Sequence, residues 1–173
     1  MNDYLTVELG VQIHKEPLVV THGNGHFFIT HGDGKGPEDK KYKFLKRIFE
    51  NRFCQWLFRW LHPDIGIWIA NKASRSSRLA NPETSQFLGK DKEWLLLYAV
   101  RKSEQHPAID FFIFGHRHYP LSILLPNKRS RYINLGDWMQ YFTYGVWDGT
   151  HFELHSYNNT IDPKNHTYDS LYS

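Results

Sequence analysis

Apolar and polar positions along the chain change period twice. Residues 18–30 read as a hairpin: Leu18-Val19-Val20-Thr21 and His26-Phe27-Phe28-Ile29-Thr30 are strand-like, and Asn24-Gly25 between them tolerates the positive φ angles of a type I′ turn. The second run leads straight into His31-Gly32-Asp33-Gly34-Lys35-Gly36-Pro37, too rich in glycine for anything but a loop. The period then becomes helical over residues 39–61. Leu45, Ile48, Phe49, Phe53, Trp56, Leu57, Trp60 and Leu61 recur at helical spacing, and Lys40, Lys41, Lys43, Lys46, Arg47 and Arg59 occupy much of the remainder. Asp39 is the expected N-cap and Pro63 the expected stop. Further helices are predicted at 66–79 and 90–105, with Pro82 and Gly89 between them. The pattern returns to strands at 110–114, 122–125, 131–134, 140–147 and 152–157. Residues 158–173 are polar, lack a period and are expected to fray. Strands on either side of a helical stretch give an α/β (α+β) class, with no internal repeat and no linker.

The run Phe111-Phe112-Ile113-Phe114 is apolar at every position, so the strand it forms expects cover on both faces. A hydrophobic fraction of 40% over 173 residues is enough for one domain with a core. The net charge of +3 suits an anionic ligand or surface and does not by itself imply nucleic acid. Cys54 is the sole cysteine; no intramolecular disulfide can form, and its place in an apolar helical pattern reads as a small buried hydrophobe. No run reaches the roughly 18 apolar residues a spanning helix needs, and no leader peptide is visible, so a cytoplasmic protein is expected.

Candidate chemistry concentrates in His31-Gly32-Asp33, Gly115-His116-Arg117-His118 and Asn134-Leu135-Gly136-Asp137. In the second segment an apolar strand delivers the chain to a sheet edge, glycine permits the turn, and two imidazoles can point into one crevice. Imidazole ligates Mn, Fe and Zn. A pair of surface histidines is the plain alternative, but His31 stands in the same strand-end context, and strand ends of open α/β sheets converge on ligands. His14, His22, His26, His62, His106, His151, His155 and His166 read as ordinary surface or turn histidines. The glycine-rich loop at 31–36 lacks the Gly-Lys-Ser/Thr ending of a P-loop.

The ordered set His-Gly-Asp, Gly-His-Arg-His, Asn-Leu-Gly-Asp resembles the second half of a calcineurin-like metallophosphoesterase. That resemblance implies a β-sandwich flanked by helices and two divalent metal ions, Mn²⁺ being expected. Carried onto this sequence, His31 and His116 would bind one metal and His118 the other, and residues 134–137 would form a structural turn. Residues 34–42, the aromatic helix, 69–81 and 111–138 are similar to the UDP-2,3-diacylglucosamine hydrolases of lipid A biosynthesis, over about residues 1–147. The similarity implies hydrolysis of the pyrophosphate in UDP-2,3-diacylglucosamine, giving UMP and 2,3-diacylglucosamine 1-phosphate. It also implies an inserted helical cap at about 44–88 that holds the acyl chains. Asp39, Ser77 and Asn81 match substrate-contacting positions, and Arg117 is expected near the phosphates. The partners implied are a lipid-linked sugar nucleotide and an anionic inner-membrane surface, with no nucleic acid.

The family pattern also has an Asp-x-His, a Gly-Asp whose carboxylate bridges the metals, and a Gly-Asn-His-Asp or Gly-Asn-Arg-Asp; none of the three precedes His31. Residues 1–157 therefore read as an incomplete sandwich, the C-terminal part of a single domain, with 158–173 as a polar tail and a missing N-terminal half required for a full site. A two-metal site clamps ions about 3.5–4 Å apart, and three neutral imidazoles are a poor substitute for bridging carboxylates. The chain alone is expected to be inactive. The alternatives are a non-catalytic fragment, or an RNA-binding module built on the basic aromatic helix.

Overall fold

The aromatic run at 111–114 lies near the middle of a six-stranded sheet in the computed structural model of the chain, which describes residues 2–33, 44, 47–80, 86–158 and 161–172. The chain divides into two compact units, Met1–Gly32 with Ala99–Ser173, and Asp33–Tyr98. In the first unit the sheet runs β1 (Leu18–His22), β2 (Gly25–Thr30), β3 (Phe111–Phe114), β5 (Arg131–Asn134), β4 (Leu121–Leu124) and β8 (Thr167–Tyr168). Strands β2, β3 and β5 are parallel neighbours; β1 and β4 join antiparallel, and β8 adds parallel to β4. Strands β6 (Thr143–Trp147) and β7 (Phe152–Ser156) form a separate two-stranded sheet.

Alternation along the central strands fills both faces. Phe27, Ile113 and Ile133 form a core with Leu154 of β7, and Phe111, Trp147 and Phe152 pack against it. Phe28, Phe112, Phe114 and Tyr132 point the other way; Phe28 meets Phe112 at 5.6 Å and Phe114 meets Tyr132 at 5.4 Å between ring centroids. Phe112 and Phe114 are fully buried, as the unbroken apolar run requires. At the opposite end of these strands from the histidine motifs, the Asp110 carboxylate accepts from His26 N and Nδ1 and from Arg129 Nε and Nη2, tying the starts of β2 and β3 to the turn before β5.

Several elements depart from the sequence expectation, each for a local reason. The hairpin register pairs His22 with Gly25, so the loop is Gly23-Asn24 rather than Asn24-Gly25. Gly23 alone has positive φ there, at 58°, the glycine-first pattern of a type II′ connection. In the second unit the helical stretch over 39–61 breaks at Asn51. Its backbone is extended, and its side chain accepts from Phe53 N and Cys54 N, capping α2 (Arg52–Arg59). Pro63 opens α3 (Pro63–Ala80) instead of merely ending its predecessor, because a first-turn residue has no helical N–H to lose. No residue of α2 is buried; Phe53 and Trp60 are 67% and 77% exposed, and Cys54 is half-buried rather than enclosed. Helix α4 (Trp94–Gln105) starts after a turn closed by Lys92 N and Glu93 N on the Gly89 carbonyl. The strand expected over 140–147 begins only at Thr143, because Asp137 captures the preceding N–H groups in a turn. The stretch expected to fray instead carries a 3₁₀ turn (Pro163–His166) and β8, with His166 buried at 9% exposure. A further short helix, α1 (Asn2–Val7), precedes the hairpin. Among the described residues no helix is long and apolar enough to cross a membrane.

Candidate functional site

Three adjacent parallel strands bring the three motifs to one edge of the sheet. Thr30, Phe114 and Asn134 are in register across β2, β3 and β5. His31, Gly115-His116 and Leu135 therefore leave the carboxyl ends side by side, the place where open α/β sheets receive ligands.

His31 Nε2 and His116 Nδ1 lie 3.4 Å apart, with the rings nearly perpendicular. Gly32, at φ 99°, turns the chain immediately after His31. Gly115 leaves the room His31 needs: a Cβ there would stand 3.0 Å from His31 Nδ1. His116 itself has φ 60°, a left-handed conformation that costs a non-glycine residue about 1–2 kcal/mol. The loop is held from β5. Asn134, fully buried, donates through Nδ2 to the carbonyls of Arg117 (2.8 Å) and Tyr119 (2.9 Å).

His118 is oriented differently. Its Nδ1 lies 3.1 Å from Asp137 Oδ2. The other oxygen of that carboxylate accepts from the backbone N–H groups of Met139, Gln140 and Tyr141 at 3.1, 2.8 and 3.0 Å. Burial raises the Asp137 pKa, but those backbone N–H groups and His118 outweigh it and hold the carboxyl below its ordinary value. Gly136 approaches the next strand so closely that a Cβ would overlap Thr143 Oγ1. Against the same loop, the His166 ring lies 4.8 Å from that of Tyr119 and 6.2 Å from that of Tyr141. Burial pushes the His166 pKa down and those of both tyrosines up.

The imidazole pair has the chemistry and spacing to share a cation. Two nitrogens 3.4 Å apart, each about 2.1 Å from a common ion, subtend roughly 108° there. Among the described residues no group of three or more His, Cys, Asp or Glu is arranged to hold a metal. The pair thus fits two corners of one ion's shell. Asp39 and Asn81 lie outside the described residues; Ser77 lies within α3 with its side chain outside them. Arg117 is only 5% exposed, its guanidinium drawn away from solvent. Sequence reasoning read residues 134–137 as a structural turn; Asn134 instead ends β5, and the turn follows at residues 138–141, capped by Asp137. It missed the Asp137 contact to His118 and the burial of His166. His118 and Asp137 are 19 residues apart in different loops, and only the adjacency of β3 and β5 brings them together.

No protein-family model matches the chain. It is 33% identical over 168 residues to a UDP-2,3-diacylglucosamine hydrolase of Porphyromonas gingivalis, covering 90% of this chain and 64% of that protein. Proteins of the same name from Aeromonas salmonicida and Bordetella pertussis are 29% and 27% identical over 133 and 135 residues. Those matches cover 76% and 75% of this chain and 51% and 50% of the relatives. The chain therefore spans between half and two thirds of the length of these curated relatives, and the resemblance drawn from its motifs is borne out: it is a homologue of the UDP-2,3-diacylglucosamine hydrolases, corresponding to part of their length.

Proposed function

We propose that this chain contributes the histidine side of a metal-dependent phosphoesterase that hydrolyses the pyrophosphate of UDP-2,3-diacylglucosamine to UMP and 2,3-diacylglucosamine 1-phosphate. The observation that carries the reading is the approach of His31 and His116 to 3.4 Å at the shared carboxyl edge of β2 and β3, in a homologue of proteins bearing that name. His31 and His116 would hold one divalent cation and His118 a second, Mn²⁺ in this reading, with further ligands from acidic side chains outside the described set. Such cations supply activation of water and neutralisation of charge at the attacked phosphorus. Asp39, Ser77 and Asn81 would contact the sugar nucleotide. The buried Arg117 would add positive charge behind the phosphates without touching them. Exposed Phe53, Trp56, Trp60 and Trp68 offer apolar surface for the acyl chains, and Arg52, Arg59 and Lys72 offer charge for an anionic membrane surface.

The test is UMP release in the presence of Mn²⁺, by the chain alone and by the chain joined to the portion of the Porphyromonas gingivalis relative that the match leaves uncovered. The joined protein is expected to release UMP, to lose activity with EDTA and in H116A, and to act far more slowly on UDP-glucose. The chain alone is expected to be inactive. Activity indifferent to EDTA would exclude the metal reading, and equal kcat/KM for the two substrates would exclude the lipid one.

A further inference from the structure

We propose that Asp137 is a positioning residue for His118: its Oδ2 accepts the proton on His118 Nδ1 and holds the ring in the tautomer whose Nε2 carries the lone pair, open to a divalent cation. What Nε2 would bind rests on the phosphoesterase reading above; the tautomer does not.

The two oxygens of Asp137 divide the work. Oδ1 takes three backbone N–H groups within 3.1 Å, which fixes the plane of the carboxylate. Oδ2 is left to face His118 Nδ1 at 3.1 Å. The Asp137 side chain is 9% exposed, so little water competes for Oδ2, whereas the His118 side chain is 48% exposed. With three N–H donors converging on Oδ1, the group is a carboxylate, whose oxygens only accept hydrogen bonds. The nitrogen facing it must then be the one that carries hydrogen. In a neutral imidazole this leaves Nε2 as the acceptor, the arrangement in which an outer carboxylate orients a metal-ligating histidine. His31 and His116 instead face each other, through Nε2 and Nδ1.

A turn cap alone would need only Oδ1, so a single-atom change separates the two roles. In D137N the amide oxygen can keep the three backbone N–H groups, while Nδ2 presents a donor to His118 Nδ1. That nitrogen must then accept, and the ring proton moves to Nε2, blocking it. The experiment is long-range ¹H–¹⁵N correlation of the histidine rings in the 173-residue chain at about pH 8.5, well above the ordinary histidine pKa of about 6.5. His118 is expected as the Nδ1–H tautomer in the wild type and the Nε2–H tautomer in D137N. Substoichiometric Mn²⁺ should broaden the His118 ring signals in the wild type, with the effect weakened about 10–100-fold in the variant. An Nε2–H tautomer in the wild type overturns the proposal, as does an unchanged tautomer in a folded D137N. Should D137N not fold, the wild-type tautomer alone decides. The expected tautomers together with no broadening of His31, His116 or His118 by Mn²⁺ would support the Asp137 assignment and show that these histidines alone do not hold the cation.

Discussion

At the scale of single residues, the candidate site is held by backbone geometry as much as by side chains. His116 occupies a left-handed conformation, so replacing it with glycine is expected to raise stability by about 1 kcal/mol in urea unfolding while removing an imidazole from the pair. A candidate ligand whose loss stabilises the fold would mark strain retained for a site. Asn134 behaves in the opposite way. N134A strips the donor from two carbonyls and is expected to cost about 2–6 kcal/mol, at about 1–3 kcal/mol for each orphaned group. G136A combines positive φ with a clash on Thr143 and should cost a similar amount, read as a fall in the urea midpoint. His31 and His116 were legible in the sequence because each follows an apolar strand into a glycine turn. His166 was not, since nothing in an aperiodic polar stretch marks one histidine as the one that will pack against Tyr119.

Among elements, the central strands were the easiest to read. Unbroken apolar runs such as 111–114 demand burial on both faces, and few structures supply it. The break at Asn51 was hidden for a physical reason: the apolar period of Phe49, Phe53, Trp56 and Trp60 passes through it without interruption. Only the capping chemistry of asparagine marks the spot, and it emerges once the side chain is seen on Phe53 N and Cys54 N. N51A is accordingly expected to weaken α2 by about 1 kcal/mol, seen as faster amide exchange at Phe53 and Cys54 with little change elsewhere. The hairpin slipped by one residue because Gly23-Asn24 and Asn24-Gly25 are both acceptable turn pairs. Gly25 decides between them: a Cβ there would stand 2.8 Å from the Phe27 ring and 2.9 Å from that of Trp147, so it belongs in the strand, under the core.

Across the whole molecule, the C-terminal stretch ties acid sensitivity to the fold. The folded pKa of His166 is depressed by burial, so its contribution to stability is complete above the unfolded value of about 6.5 and is lost as pH falls below it. Asp110 and Asp137 also have depressed folded pKa values, and their contributions are present above about 3.9 and lost as pH falls through the folded values. The melting temperature should therefore step down twice on acidification. H166F, which keeps a ring against Tyr119 and Tyr141, should remove the first step and keep the second. Persistence of the first step in H166F would assign it to another histidine.

The parallel contact between β2 and β3 also sets the order in which the chain assembles. His31 and His116 are 85 residues apart in sequence, whereas β1–β2 and β4–β5 are local hairpins. Loop closure over that span costs about 2–3 kcal/mol more than across the two residues between β1 and β2 or the six between β4 and β5. The hairpins are expected to form first and the β2–β3 seam to close after the rate-limiting barrier. Ile123→Val, within β4, should then slow refolding, while Phe28→Leu, on the seam, should chiefly hasten unfolding. A cation bridging His31 and His116 would act on the seam alone: it would lengthen the lifetime of the folded chain and leave the speed of its formation unchanged.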